Sequence, residues 1–413
     1  MSGYFSTEFF EGNRAKLRSL FRGTAPIVLT ANGLSQRSGD TAYPFQQDSS
    51  FWYLTGINDP NIILVLDKDK EYFILPEQDR VQEIFDGSIE TDDITKTSGI
   101  KTVLDNKTGW KQLTVRLKRV KHIATLAATP DFIPRLGMYT NPARAALIEK
   151  LKAVAPTAEL LDLSPHLTRQ RMVKQPEELT ALQTAINITT ATLKDVSKKL
   201  GKYNYEYEVE ADITAGFRKR GADGHGYQPI VASDNNACTL HYMANNASLD
   251  DKKLLLMDVG AEVEHYSADI TRTYTLGKPS KRIRTVHEAV NDIQNYALNQ
   301  LKPGVLIKDY EQKVEHYIGE KLRELGLIKS ITPETVRRYA PHSTSHFLGL
   351  DVHDVADYDR PLETNMVLTV EPGIYIPEEN IGIRIEDDVL ITPKGAKILS
   401  HTSRTSQPAH QLS

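Results

Sequence analysis

Five side chains stand where their chemistry is most costly. Asp258 ends the apolar run Leu254-Leu255-Leu256-Met257, and Asp269 lies in Ser267-Ala268-Asp269-Ile270-Thr271-Arg272-Thr273. Glu371 ends a second run, Met366-Val367-Leu368-Thr369-Val370, and Glu386 lies within Gly382-Ile383-Arg384-Ile385-Glu386-Asp387-Asp388-Val389. The fifth, His346, belongs to Pro341-His342-Ser343-Thr344-Ser345-His346-Phe347-Leu348-Gly349, and Asp351-Val352-His353-Asp354 follows it. An acid inside an apolar strand is expensive to bury unless it is paired or metal-bound. Singly, each has an ordinary explanation: a salt-bridged edge-strand acid, or a histidine satisfied in the core. Together, four converging carboxylates would repel one another and take up protons, and two divalent ions would neutralise them. Four carboxylates and one imidazole, without a thiolate, suit Mn²⁺, Mg²⁺, Co²⁺ or Fe²⁺ rather than a structural Zn²⁺. Two such ions a few ångströms apart activate a shared water and polarise a carbonyl, as hydrolysis of an unactivated amide requires.

The elements that must position these groups are strands. Leu254 to Gly260 and Tyr266 to Tyr274 read as a hairpin, with Asp258 and Asp269 on adjacent strands. Arg384 stands two residues before Glu386, so the two share a face of the expected strand Gly382–Ile391. Helices precede each acidic pair. Pro176 with Glu177 and Glu178 starts a helix whose stripe is Leu179, Leu182, Ile186, Leu193, Val196 and Leu200. Tyr205, Val209, Ile213 and Phe217 form a stripe that stops at Gly221, and Tyr310, Val314, Ile318 and Leu322 form another that stops near Gly326. The parallel order, helices and then strands with two acids, predicts two similar halves facing each other across a cleft.

The region before residue 171 reads as a separate α/β domain. Ile62 to Leu66 and Tyr72 to Leu75, joined by Lys68-Asp69-Lys70, make a hairpin. Pro142 to Ala153 is a helix with Asn141 as N-cap and Pro142 at the first helical position, and Leu161 to Leu163 is a short strand. The expected division is residues 1–170 and residues 171–413, two cores being the natural expectation for 413 residues.

Composition narrows the function classes. With 40% hydrophobic and 25% charged residues, the chain has a globular composition. A net charge of -4 argues against broad binding of nucleic acid or anionic membrane. The basic run from Lys111 to Lys121 is too short to track a phosphate backbone and reads as a solvated helix face. No apolar run reaches the ~20 residues a membrane span needs. No secretory or organellar address is legible from Met1 to Gly23, and the single cysteine, Cys238, suits a reducing compartment, so the expected location is cytoplasmic. Cys238 and His241 are neighbours in sequence, but a thiol mechanism needs spatial pairing and an orienting third group, which Cys238-Thr239-Leu240-His241 does not supply. No glycine-rich phosphate loop is present.

Met257-Asp258-Val259-Gly260, Ala268-Asp269-Ile270-Thr271-Arg272-Thr273, Ser345-His346 to His353-Asp354, Val370-Glu371-Pro372-Gly373 and Gly382 to Asp387 follow one another in an order that resembles the pita-bread metallopeptidases. Within them the chain is most similar to aminopeptidase P and its relative prolidase. Tyr43-Pro44-Phe45-Gln46-Gln47-Asp48-Ser49-Ser50-Phe51-Trp52-Tyr53-Leu54-Thr55-Gly56 resembles the N-terminal signature of aminopeptidase P, and the likeness runs from about residue 5 to about residue 400. The resemblance implies an aminopeptidase P-like α/β N-terminal domain. It implies an α+β catalytic pita-bread domain with a pseudo-twofold curved antiparallel sheet. The activity implied is hydrolysis that releases the first residue from peptides with proline second, using two divalent ions, Mn²⁺ foremost.

By the same resemblance Asp258 chelates one metal, Asp269 and Glu386 bridge both, and His346 with Glu371 completes the second. Glu371 also relays a proton towards the leaving nitrogen. His241 lies near the scissile bond, His353 donates to the substrate carbonyl or the tetrahedral oxyanion, His342 lines the site, and Arg384 steadies the carboxylates. Assembly as a homodimer or tetramer is expected from the relatives. Two features depart from the family: the stretch between Glu371 and Glu386 is shorter than in bacterial relatives, and the polar tail from Ser400 onward is unfamiliar. Three other readings stand beside this one. A prolidase acting on Xaa-Pro dipeptides has the same donors. A non-enzymatic peptide-binding relative would have lost metal donors, and all five are present. Methionine aminopeptidase usually lacks so large an N-terminal domain.

Overall fold

The computed structural model describes residues 3–21, 25–68, 70–126 and 132–400. The polar tail from His401 onward lies outside them, as does Asp69 of the expected turn. The chain separates into two compact units, Met1–Gln170 and Arg171–Ser413.

Among the described residues, the first unit is built on a mixed six-stranded sheet. Its order is Val103–Leu104, Lys70–Ile74, Ile63–Asp67, Ile27–Thr30, His122–Thr125, Glu159–Asp162. The expected hairpin is there, with Ile63 opposite Ile74 and Asp67 opposite Lys70. The outer pairs are parallel, and helices such as Asn106–Leu117 and Ala143–Val154 lie between the strands they join. Val28, Val65, Ile74, Trp110, Leu113, Leu147 and Leu151 pack as one core, which makes this unit α/β. The last strand begins at Glu159, two residues before the expected Leu161, because its parallel register starts where Glu159 meets His122. The helix expected from Pro142 begins at Ala143, with Pro142 as the cap. Asn141 still caps it from one residue further out, its Oδ1 accepting from the Ala143 N–H (3.1 Å) and the Gly33 N–H (3.0 Å).

In the signature segment, Asp48 caps the helix Ser49–Thr55 by accepting from the Ser50 and Phe51 N–H groups. Gly56 ends that helix at φ +69°, where a Cβ would stand 2.5 Å from the Phe10 ring, so only glycine fits. The basic run falls on the helix Asn106–Leu117 and just after it, with Lys111, Lys118 and Arg119 exposed and Arg116 paired to Asp67 at 2.6 Å.

The second unit repeats one plan. Helices Pro176–Ser197 and Glu206–Lys219 precede a three-stranded antiparallel ladder of Ile230–Ser233, Leu254–Val259 and Ile270–Thr275. Helices Lys281–Gln300 and Ile307–Glu324 precede a second ladder of Val367–Val370, Asp387–Thr392 and Gly395–Ile398. The later stripe is wholly buried: Tyr310, Val314, Ile318 and Leu322 share a core with Val370, Ile383 and Val389. In the earlier stripe Val209, Ile213 and Phe217 are buried, but Tyr205 is exposed. It stands before the helix, where the 3.6-residue period does not apply, and stacks on Tyr207.

Each half contains a long hairpin broken midway. The first runs Leu254–Val259, Ala261–Val263, Tyr266–Ser267, Ile270–Thr275, and the second Val367–Val370, Gly373–Ile376, Ile381–Arg384, Asp387–Thr392. Asp269 therefore sits in a gap between two strands rather than inside one, and so does Glu386. The shared strand face expected for Arg384 and Glu386 does not exist, because pairing stops at Arg384 and restarts at Asp387. The break in the first hairpin needs a glycine: a Cβ on Gly260 would lie 1.7 Å from the Ala268 carbonyl oxygen.

Candidate active site

The hairpin breaks are where the chemistry collects. All nine side chains singled out in the sequence, Asp258, Asp269, His346, Glu371, Glu386, His241, His342, His353 and Arg384, line one cavity of about 630 Å³. Asp258 lies in its strand opposite Ile230 and Thr271. The Glu386 N–H donates to the Thr271 carbonyl (3.1 Å), and the Asp269 N–H donates to Asp388 Oδ2 (3.2 Å), so the two broken hairpins are tied across their gaps. His346 arrives on a segment that runs beside Val367–Val370 without being a regular strand. Leu348 donates to Val367, Thr369 to the His346 carbonyl, and Glu371 to Thr344. That irregular ladder sets His346 and Glu371 side by side, with Nε2 to Oε1 at 3.5 Å.

Ligating atoms of Asp269, His346 and Glu386 lie within 4.8 Å of one another. His346 Nδ1 meets its own chain at the Phe347 carbonyl (3.1 Å), which leaves Nε2 facing Asp269 Oδ2 at 3.3 Å. Histidines that bind metals are commonly oriented this way. Asp258 joins through Tyr227, whose hydroxyl lies 2.6 Å from Asp258 Oδ1 and 2.7 Å from Asp269 Oδ1. Tyr227 has one proton to donate and two acids beside it, so it ties Asp258 to Asp269 without supplying the positive charge the pair lacks.

The electrostatics agree with that shortage of positive charge. Burial, with Asp269 and Asp258 nearby, pushes Glu371 up to about 8 despite His346 and Arg384. Burial and the charges of Asp269, Glu371 and Asp258 raise Glu386 well above the usual carboxylate range. Burial works against a charge on His346, yet its bond to Asp269 and the charges of Glu371 and Asp269 hold it up at about 9. A protonated imidazole thus stands where a cation is wanted. An oxygen-rich donor set held in this state fits divalent ions.

Around this centre runs a chain of hydrogen bonds. Arg384 donates from Nε to Thr271 Oγ1 (3.0 Å), from one terminal nitrogen to the Tyr375 hydroxyl (2.8 Å) and from the other to Asp258 Oδ2. The Tyr375 hydroxyl, receiving from Arg384, donates to His342 Nε2 (2.8 Å), which leaves the His342 proton on Nδ1 facing the Ser343 carbonyl (2.8 Å). Burial and the Arg384 charge keep His342 neutral, with a pKa down at about 4. Thr271 Oγ1 donates to Glu386 Oε2 at 2.6 Å.

His353 is exposed, its ring centroid 4.3 Å from that of His346. Asp354, beside it, is buried against Lys174 Nζ (2.7 Å) and Arg171. Although burial opposes its charge, those two cations hold Asp354 below the usual carboxylate range. The His353 segment is thereby pinned to the start of the helix Pro176–Ser197.

His241 lies exposed on the loop after Cys238. The Cys238 thiol has its contact with the Ile381 carbonyl (3.5 Å), and burial pushes it up to about 11. That is the opposite of an activated nucleophile. Tyr227, Tyr375, Thr271, Arg171 and Lys174 were not singled out for the site from the sequence. Thr271 belongs to the segment Ala268-Asp269-Ile270-Thr271-Arg272-Thr273 that carries Asp269. Tyr227 and Tyr375 carry no periodic signal, since they act through partners up to 42 residues away in the chain.

Comparison with known proteins adds to this geometry. Residues 180–393 match the model of metallopeptidase family M24, and residues 10–124 match that of the aminopeptidase P N-terminal domain. The Xaa-Pro aminopeptidase of Haemophilus influenzae is 34% identical over 95% of this chain and 94% of its own. Xaa-Pro aminopeptidase 3 of Homo sapiens is 31% identical over 94% of this chain and 82% of its own. Among solved structures, aminopeptidase P from E. coli with the inhibitor Pro-Leu superposes with a TM-score of 0.85 at 30% identity, covering 96% of this chain and 95% of that one. The zinc-substituted form of the E. coli protein, in complex with product, superposes with a TM-score of 0.83 over the same shares.

Proposed function

The chain belongs to metallopeptidase family M24, and from that premise we propose that it is an Xaa-Pro aminopeptidase, releasing the first residue of peptides with proline second. The observation that carries the reading is the convergence of three buried carboxylates, the half-buried Glu371 and His346 on one cavity that His241, His342 and His353 also line. Asp258, Asp269, His346, Glu371 and Glu386 would hold two divalent ions, with Mn²⁺ favoured by the oxygen-rich donors. Bound there, the ions supply Lewis acidity and lower the pKa of a nucleophilic water.

The remaining steps belong to the chain's own residues. Glu371 carries the proton given up by the attacking water to the proline nitrogen, which has no proton of its own in the peptide bond. His353 donates to the carbonyl oxygen as it gains charge. His241 closes the other side of the scissile bond, and the apolar residues Leu240, Met243 and Val352 give the wall a proline ring can pack on. Arg384 holds Asp258 in place while passing a hydrogen bond through Tyr375 to His342. In this reading residues 1–170 form the aminopeptidase P-like domain and residues 171–413 the catalytic one. Among the described residues no helix is long and apolar enough to cross a membrane. A cytoplasmic location and assembly as a dimer or tetramer belong to the same proposal. The exposed apolar side chains Val81, Ile84 and Phe85 of the first unit support assembly, and a purely monomeric mass in light scattering would remove that part.

The deciding experiment is a comparison of peptide lengths. Purified, metal-loaded protein is expected to release the first residue from Xaa-Pro-Xaa tripeptides and longer peptides. Replacement of that proline by alanine should nearly abolish cleavage, and an Xaa-Pro dipeptide should be the poorer substrate. Hydrolysis confined to the dipeptide would make the enzyme a prolidase instead.

Metal loading itself should release protons. With Glu371 at about 8 and His346 at about 9 in the metal-free protein, both groups hold their protons at pH 7, whereas ligands bind metal deprotonated. Apparent Mn²⁺ affinity is therefore expected to weaken as pH falls below about 9, where His346 takes its proton, and more steeply below about 8, where Glu371 does, by about tenfold per pH unit for each proton released. Titration calorimetry in buffers of different ionisation enthalpy reads this directly. Heats that do not change with buffer, and an affinity flat from about pH 6 to 8, would contradict it.

A further inference from the structure

His241 stands on the connection between the paired strands Ile230–Ser233 and Leu254–Val259, whose only regular element among the described residues is the 3₁₀ turn Asp234–Cys238. Connections of this length that carry binding residues need something to hold them. What holds this one is a carboxylate that neither lines the cavity nor belongs to the metal donors. Glu206, first residue of the helix Glu206–Lys219, is fully buried. Its Oε1 accepts from the Ser233 N–H (2.8 Å), the Ser233 hydroxyl (2.7 Å) and Asn236 Nδ2 (3.1 Å). Its Oε2 accepts from the Tyr242 hydroxyl (2.8 Å) and the Ala247 N–H (2.9 Å). One side chain thus ties the beginning, middle and end of the loop to a helix start, where a negative charge is also favoured. One turn on, Glu210 receives Asn245 Nδ2 (2.9 Å), whose own Oδ1 accepts from the Val231 N–H (2.9 Å). Tyr242 stands between His241 and Met243, and both of these line the cavity.

We propose that Glu206 is a positioning residue for peptide hydrolysis: its five accepted hydrogen bonds hold the loop 233–247 so that His241 and Met243 face the cavity. The proposal rests on the peptidase reading for its catalytic consequence, and on geometry alone for the tether. Charge-assisted bonds to a buried carboxylate are strong, and donors left without an acceptor are costly. Loss of the charge should open this loop locally while the rest of the unit stays folded.

The chain carries its own reporter. Cys238 is its single cysteine, and the thiol lies within the tethered loop against the Ile381 carbonyl. Glu206→Gln keeps the shape but turns one acceptor oxygen into a donor amide. In the metal-loaded protein under native conditions, its Cys238 should react with dithionitrobenzoate about tenfold faster than wild type or more. Metal content should be unchanged, and kcat/KM on an Xaa-Pro-Xaa tripeptide should fall by about the same factor. Tyr242→Phe removes one of the five bonds and should give a smaller acceleration. Ile318→Val, a cavity in the helix core of the same unit, controls for general loosening and should change neither rate. A wild-type labelling rate in both Glu206→Gln and Tyr242→Phe would overturn the tether, as would equal acceleration in Ile318→Val. If Glu206→Gln does not fold, Tyr242→Phe carries the labelling test alone. Wild-type protein inert towards Xaa-Pro peptides would remove the peptidase reading, and the labelling rates would still decide whether Glu206 holds the loop.

Discussion

Replacing Asp269 by asparagine is expected to lower peptide hydrolysis by at least about 10³-fold, because the carboxylate proposed to serve both ions would be gone. The metal-free protein should meanwhile keep its fold. The asparagine side chain has the shape of the native one, and the backbone N–H at this position would still reach Asp388 as that of Asp269 does. The change also removes one of four acids whose burial and mutual repulsion raise Glu371 and Glu386, so the metal-free centre loses a source of strain. The signature is a melting temperature close to wild type without metal, together with loss of the rise that added Mn²⁺ gives the wild type. Undiminished turnover in metal-supplemented buffer would sink the assignment of Asp269.

The second large effect is expected at His353. Although the residue is partly open to solvent, desolvation of the ring where it packs on His346, together with the His346 charge, pushes its pKa down to about 4, so at pH 7 it is neutral and has one N–H to give. It packs against His346 with the two rings tilted by 64°. Its neighbour Asp354 donates its N–H to the Phe347 carbonyl (2.9 Å) and is locked by Lys174. A donor this firmly placed, on the rim of the metal centre, fits an oxyanion contact better than a ligand. His353→Ala should lower kcat by about 10²-fold or more, as loss of such a donor does elsewhere, with metal content unchanged. Metal lost in proportion to activity would instead make His353 a ligand or the support of one.

Much of this protein is written in short-range pattern. The hairpin of Ile63–Asp67 and Lys70–Ile74 follows from two apolar runs and a polar turn. The helices Pro176–Ser197 and Ile307–Glu324 follow from apolar residues at steps of three and four, because a side chain's face on a helix or strand is a local property. The metallopeptidase chemistry was legible too, since acids at the ends of apolar strands contradict their surroundings unless something neutralises them.

What the sequence determined by itself was therefore the kinds of element, the ionisable residues that could not be ordinary core, and the family whose motifs they spell. What only the tertiary structure decided was how those residues meet. Asp269 and Glu386 stand in gaps between strands, not within them, because each hairpin breaks where a second one must be met. Thr271 reaches Glu386 across 115 residues of chain, Arg384 reaches Asp258 across 126, and Lys174 reaches Asp354 across 180. Periodicity has no access to such pairs, since it reports which side of an element is buried and never what lies opposite. Tyr227, Tyr375 and Glu206 read as unremarkable polar residues until the fold brings their partners to them, since polar groups drawn into a folded interior are matched by hydrogen-bond partners.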